Sequence, residues 1–282
     1  MLTRTENRAA IRGRGSMLLY LAIAFGMAWT LWLAAWLITK GRLSLPLFPV
    51  LVIGSFGPFA GALVTTWSKG GRTQARRFFA RVLDPHMGWP VFLVSFFLLP
   101  VLAAIAELLH AAYTHSAPRF PMTLSDVPGS YLFLTVLGGT LAEEYGWSLL
   151  SDQLDELFPL VRSTFLLGLI WALWHLPLFF IVTPGMIQGY TPFYIFLVVT
   201  VSMRFLFAWA YHRGNRSILS NMLFHSASNM AYSMVPLAPS PADLTTDRLW
   251  IFGLLNILSA TILWIAAPPR QHPDRGMTAN FR

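Results

Sequence analysis

The chain has 282 residues, of which 55% are hydrophobic and only 11% charged, and its mean hydropathy is +0.57. Soluble domains carry about 25% charged residues, so this composition excludes a water-solvated surface and points to lipid. The net charge of +8 does not indicate a nucleic-acid partner, because Lys and Arg fall in short runs between long apolar stretches, as in the loops of membrane proteins. With no Cys, disulfides, thiolate metal sites and thiol nucleophiles are excluded.

Spanning the hydrocarbon core takes about 20 apolar residues, and eight segments qualify: Met17–Ile38, Leu47–Trp67, Trp89–Tyr113, Ser130–Leu150, Ser163–Val182, Pro192–Tyr211, Ser217–Val235 and Leu249–Ala267. The first follows a basic stretch, but Lys40 and Arg42 occupy the place of a cleavage site, so it reads as a retained helix rather than a signal peptide. The seventh is the most polar. Short linkers and the absence of a fixed-period repeat predict one domain over 1–282.

Charge sets the orientation. With the N-terminus inside, the inner segments hold Arg4, Arg8, Arg12 and Arg14; Lys69, Arg72, Arg76, Arg77 and Arg81; Arg162; Arg213 and Arg216; and Arg270, Arg275 and Arg282. Only Lys40, Arg42, Arg119 and Arg248 fall outside. This bias predicts an all-α polytopic bundle of about eight helices with both termini cytoplasmic, in the cell membrane.

Charged groups at membrane depth cost at least about 2.5–3.5 kcal/mol each, so those present call for a partner or a task. Glu107, Glu143, Glu144 and Arg204 lie within the spans, as do His110, His175 and His225. Adjacent carboxylates such as Glu143 and Glu144 are not both ionised cheaply in a low dielectric, which favours one acceptor and one donor of a proton in a single site. Neighbours on a helix point about 100° apart, so one faces the site and the other a supporting shell; the alternative is a pair turned to a polar cavity or the headgroups. His175 follows Trp171 by one turn and, taken alone, reads as an interhelical hydrogen-bonding group. His225 and Asn229 share a helical face, where they either stabilise an oxyanion or join helices. Jointly, at overlapping depths on the fourth, fifth and seventh helices, these groups suggest hydrolysis with water as nucleophile. Glu107 and His110 read as a local polar pair outside that site.

Glu143-Glu144-Tyr145-Gly146-Trp147, then Trp171-Ala172-Leu173-Trp174-His175-Leu176-Pro177, then Phe224-His225-Ser226-Ala227-Ser228-Asn229 together resemble the CPBP intramembrane proteases, which comprise the type II CAAX prenyl endopeptidases and the Abi-type, bacteriocin-immunity-related proteins. The family pattern is a double Glu followed after three residues by Arg, then aromatic-x-x-x-His, then His-x-x-x-Asn. Order and spacing agree over about 130–235. The resemblance implies an endopeptidase in which Glu143 activates water, Glu144 assists or orients it, His175 holds water or shuttles a proton, and His225 and Asn229 stabilise the oxyanion. It implies a peptide or lipidated protein as substrate. Two cofactor alternatives come with it: a divalent metal such as zinc on His175, His225 and Glu143, whose fourth position would be open, or a metal-free mechanism driven by glutamate.

One position departs from the pattern: Ser148 stands where the family has Arg. A Ser hydroxyl carries no charge to fix a carboxylate, and we expect Arg204, from the sixth predicted helix, to supply it. Ser148 also supports a second reading, a non-catalytic scaffold or immunity-type protein of the same fold. A small proton-coupled transporter is a third, although such folds commonly show internal repeats.

Overall fold

The computed structural model describes residues 4–83, 86–183 and 186–270, with side chains from residue 15 onward. Arg4, Arg8, Arg12, Arg14, Arg275 and Arg282, counted above for orientation, therefore lie outside the described side chains. All the regular elements described are helical: α1 (Arg4–Thr39), α2 (Leu47–Ser55), α3 (Gly57–Phe79), α4 (Trp89–Thr114), α5 (Val127–Leu137), α6 (Thr140–Asp155), α7 (Leu160–Trp174), α8 (Phe193–Arg213), α9 (Ile218–Met234) and α10 (Asp247–Ala266).

Each of the eight predicted segments is helical, but six stretches among the described residues are long and apolar enough to cross a membrane. The two that fall short carry the acids and the His-x-x-x-Asn motif. The fourth segment is two helices, α5 and α6, separated at Gly138 and Gly139, and the seventh, α9, has 17 residues. Polar site residues shorten the apolar run, and packing within the bundle replaces lipid contact: Glu144, Ser148, Ser220 and Ala227 are fully buried. The second segment is also double, because α2 gives way to α3 at Phe56, with Pro58 near the start of the new helix where its missing N–H costs nothing.

The helices pack in an interleaved order, α1 on α3, α3 on α6, α4 on α9, α7 on α8 and α8 on α10. Small residues allow the close crossings. A Cβ on Gly146 of α6 would meet the Pro58 carbonyl oxygen of α3 at 2.5 Å, so only Gly fits at that contact. Indoles tie α1 to α7: Trp174 Nε1 donates to the Ala24 carbonyl at 3.1 Å and Trp29 Nε1 to the Trp174 carbonyl at 3.0 Å.

Ion pairs fasten each end of the bundle. At one end Asp152 of α6 accepts from Arg81 at 2.7 Å and from Arg216 at 2.6 Å, and Tyr211 of α8 adds a hydrogen bond at 2.8 Å. At the other, Glu107 of α4 is fully buried. It accepts from Arg248 Nε of α10 at 2.6 Å and from the Arg119 backbone N–H at 2.6 Å. By sequence alone Glu107 pairs with its neighbour His110 and Arg248 falls in a loop. The structure corrects both: Arg248 lies in the first turn of α10, is buried, and also reaches Asp243 at 3.0 Å. Spacing along one helix does not reveal a partner 141 residues away.

Removing one member of a buried pair leaves the other charge uncompensated, at a cost of about 3–5 kcal/mol. Glu107→Ala is therefore expected to lower the midpoint of thermal unfolding in detergent well below that of the native protein. Asp243→Asn, at the more exposed end of the cluster, lowers it less. Equal midpoints for Glu107→Ala and the native protein would show that the pair does not hold the fold.

Candidate active site

The site begins with a break in a helix. Gly139 has φ +92°, a left-handed conformation that Gly adopts without steric cost, and it ends the approach of α5 so that α6 restarts at Thr140. Broken backbone at membrane depth is tolerated only where protein or a polar cavity covers it. Here Asn229 of α9 donates its Nδ2–H to the Gly138 carbonyl at 2.8 Å. Gly139 is also required for space, since a Cβ there would lie 2.6 Å from Glu143 Oε1.

Glu143 falls in the first turn of α6, where the positive end of the helix dipole favours a carboxylate. Its Oε2 accepts two indole N–H bonds, from Trp147 Nε1 at 3.0 Å and from Trp171 Nε1 at 2.8 Å. The first is one turn along the same helix and the second comes from α7. Two neutral donors on one oxygen fix the carboxylate and leave Oε1 turned to Gly139.

Glu144, one residue on, points elsewhere and is fully buried. Its Oε1 lies 2.9 Å from His225 Nδ1, and Arg204 Nη1 of α8 lies 3.4 Å from both carboxylate oxygens. Arg204 is held over the faces of Trp171 and Phe207, with its Cζ 5.2 and 5.3 Å from the ring centres, a favourable cation–π placement. Ser148, one turn after Glu144, makes no contact with that acid's charge; its hydroxyl accepts from Asn221 Nδ2 of α9 at 3.1 Å.

The two imidazoles are oriented by their other nitrogens. His175 Nδ1 lies 2.9 Å from the Trp171 carbonyl, which only accepts, so Nδ1 carries the proton and Nε2 is an acceptor when the ring is neutral. His225 Nδ1 is committed to Glu144, leaving its Nε2 as the free ring nitrogen. Trp171 stands between them, with ring centres 5.9 Å from His175 and 5.5 Å from His225.

Glu143, His175, His225 and Asn229 all line one cavity of about 720 Å³, together with Gly138, Gly139, Trp32 and Trp174. Glu144, Ser148 and Arg204 stand behind it and do not line it. Acid, imidazoles and carboxamide from α6, α7 and α9 thus meet in one pocket. By sequence alone Trp171 is a neighbour of His175, and nothing assigns Trp147, Gly138, Gly139 or Asn221 to the site. The i, i+4 spacing of Glu143 and Trp147 was the available signal for one of them.

Among the described residues no three His, Asp or Glu side chains form a group able to hold a metal ion. Both Nδ1 atoms and Glu143 Oε2 are hydrogen-bonded, which leaves Nε2 of each ring and Glu143 Oε1 as the atoms facing the cavity. As placed, His175, His225 and Glu143 do not form such a group.

Removing a hydrogen bond to a charged group costs about 1.5–3 kcal/mol. If Glu143 works as an ionised carboxylate, Trp171→Phe should lower kcat about 10- to 100-fold with little change in unfolding temperature. Arg204→Gln strips Glu144 of its counter-charge and should lower both stability and turnover. Ser148→Arg added to Arg204→Gln should recover part of the loss, because position 148 lies one turn from Glu144. No recovery in the double variant would show that Arg204 does not stand in for a charge at 148.

Known proteins share sequence with this chain. Residues 126–231 match the family model of the Rce1-like type II CAAX prenyl endopeptidases. A CAAX prenyl protease 2 from Methanococcus maripaludis is 22% identical over 253 residues, covering 85% of this chain and 92% of the relative. The matched segment contains Glu143, Glu144, His175, Arg204, His225 and Asn229. The candidate site therefore lies within a segment similar to the Rce1-like type II CAAX prenyl endopeptidases.

Proposed function

We propose that the protein is an intramembrane endopeptidase of the CAAX type that hydrolyses a peptide bond by glutamate-activated water. The observation that carries this reading is Glu143: a carboxylate pinned by two indole N–H bonds at the wall of a cavity shared with two imidazoles and a carboxamide. A purely structural acid would have its charge compensated by a cation, as Glu107 and Glu144 do. Glu143 instead keeps one oxygen for a partner in the cavity.

Water bound at Glu143 Oε1 loses a proton to the carboxylate as its oxygen attacks the scissile carbonyl carbon. His175 Nε2 accepts the second water proton as a hydrogen bond and fixes the direction of attack. The oxyanion that forms takes hydrogen bonds from His225 Nε2–H, when that ring is protonated, and from the second N–H of the Asn229 carboxamide. Glu144, paired with Arg204, holds His225 through Nδ1 and fixes the direction of its free Nε2. When the tetrahedral intermediate collapses, the C–N bond breaks and the proton taken by Glu143 passes to the leaving amine. The products are a new carboxyl end and a new amine end. Positioning and preorganised donors supply the acceleration, and no step passes through a metal ion. The substrate is a peptide or lipidated protein in the bilayer, by analogy with the CAAX prenyl protease relative.

Ser148 keeps the scaffold reading in contention, since the family charge is absent from its usual place. Turnover separates the two. Purified protein incubated with membrane-tethered and lipidated peptides should cleave some of them, and Glu143→Gln should lower kcat about 10²–10⁴-fold, the contribution of a positioned general base. Activity should survive exhaustive treatment with a chelator. Equal cleavage by Glu143→Gln would assign the activity elsewhere, and loss of activity on chelation with recovery on added zinc would overturn the metal-free mechanism.

A further inference from the structure

The helical stretch that begins at Leu47 runs for 37 residues, to Leu83, where about 20 cross the hydrocarbon core. Its last part therefore lies beyond the span. The chain turns at Gly70 and Gly71, which are non-helical inside α3. Gly71 has φ +61° and ψ −156°, a combination essentially open only to Gly. Trp67, just before the break, and Trp89, at the start of α4, are both exposed. Exposed indoles at span ends mark the headgroup level, so the segment between them sits at the membrane surface.

Its inner side is anchored to the bundle. Ala75 and Phe78 are buried. Phe79 packs against Phe59 and Tyr145, with ring centres 5.1 and 4.6 Å away. Its outer side is cationic. From Ser68 to Leu83 the sequence holds Lys69, Arg72, Arg76, Arg77 and Arg81 and no Asp or Glu. Arg81 is taken by Asp152 of α6, Arg77 is engaged within the protein, and Lys69 lies within the field of Glu156. Arg72 and Arg76 are exposed, and no acid among the described residues is paired with either. One turn apart on the helix, the two repel each other. An anion held between them replaces that repulsion with two attractions, and the planar guanidinium fork matches phosphate oxygens.

We propose that Arg72 and Arg76 form a binding surface for the headgroup of an anionic phospholipid. A phosphodiester without a cationic group satisfies both guanidiniums, whereas the choline of a zwitterionic lipid brings a like charge to them. Such binding does not depend on catalysis. It reaches the site all the same, because Phe79 rests on Tyr145, the residue after Glu144, and lipid held here braces the helix that carries both acids.

The full chain in detergent, titrated with phosphatidylglycerol and followed by native mass spectrometry, should bind that lipid about 25-fold more tightly than Arg72→Gln/Arg76→Gln, at about fivefold for each cation. Arg72→Lys/Arg76→Lys, which keeps the charge, should retain most of the affinity. Lys40→Gln/Arg42→Gln removes the same charge from another exposed loop and should bind as the native chain does. Phosphatidylglycerol should also raise the midpoint of thermal unfolding of the native chain more than that of Arg72→Gln/Arg76→Gln, and phosphatidylcholine should not separate the two. Equal affinities for the native chain and Arg72→Gln/Arg76→Gln, or an equal loss in Lys40→Gln/Arg42→Gln, overturns the proposal. Displacement of the lipid by millimolar inorganic phosphate also overturns it, since the arginines then serve the free ion.

Discussion

The structure depends on how two adjacent carboxylates are accommodated away from water. Burying a charge without compensation costs far more than a single fold margin allows. Helix geometry gives each acid its own solution, because successive side chains diverge by about 100°. Glu144 turns into the bundle and is neutralised by Arg204 and His225. Glu143 turns to the cavity and is stabilised by neutral indole donors. Both indoles bond the same oxygen, so Oε1 is left facing Gly139 and the cavity.

Much of the remaining architecture serves that arrangement. The break at Gly138 and Gly139 puts Glu143 in a first helical turn and opens room beside its free oxygen. Asn229 closes the exposed carbonyl of the break while lining the pocket, so one residue of the His-x-x-x-Asn motif has both a structural and a chemical place. Trp171 joins the site parts most closely: it donates to Glu143, accepts from His175 through its carbonyl, and carries Arg204 on its ring face. The ion pairs at the two ends of the bundle hold the helices that bring these groups together.

Ser148 stands where the resembled family has Arg, and the cation beside Glu144 comes from another helix. A guanidinium one turn from Glu144 and a guanidinium reaching across from α8 deliver charge to the same carboxylate, since electrostatic compensation depends on distance and burial rather than on which helix supplies it. With Arg204 at 3.4 Å from both Glu144 oxygens, position 148 is left to a hydroxyl that hydrogen-bonds Asn221 instead.

Composition and hydropathy alone determined that the chain is a helical membrane bundle, because a lipid environment admits few alternatives for so apolar a sequence. The motif order likewise marked Glu143, Glu144, His175, His225 and Asn229, since helical spacing fixes which of them share a face. Tertiary structure decided the rest. Glu107 found Arg248 and Glu144 found Arg204 across gaps of 141 and 60 residues, and local periodicity contains no information on such pairs. The fourth segment reads as one span by hydropathy, yet it breaks at Gly138 and Gly139, where Gly139 takes φ +92° and a Cβ would meet Glu143 Oε1. Which oxygen of Glu143 is bound and which is free was settled only when α6 and α7 brought their two indoles to the same atom.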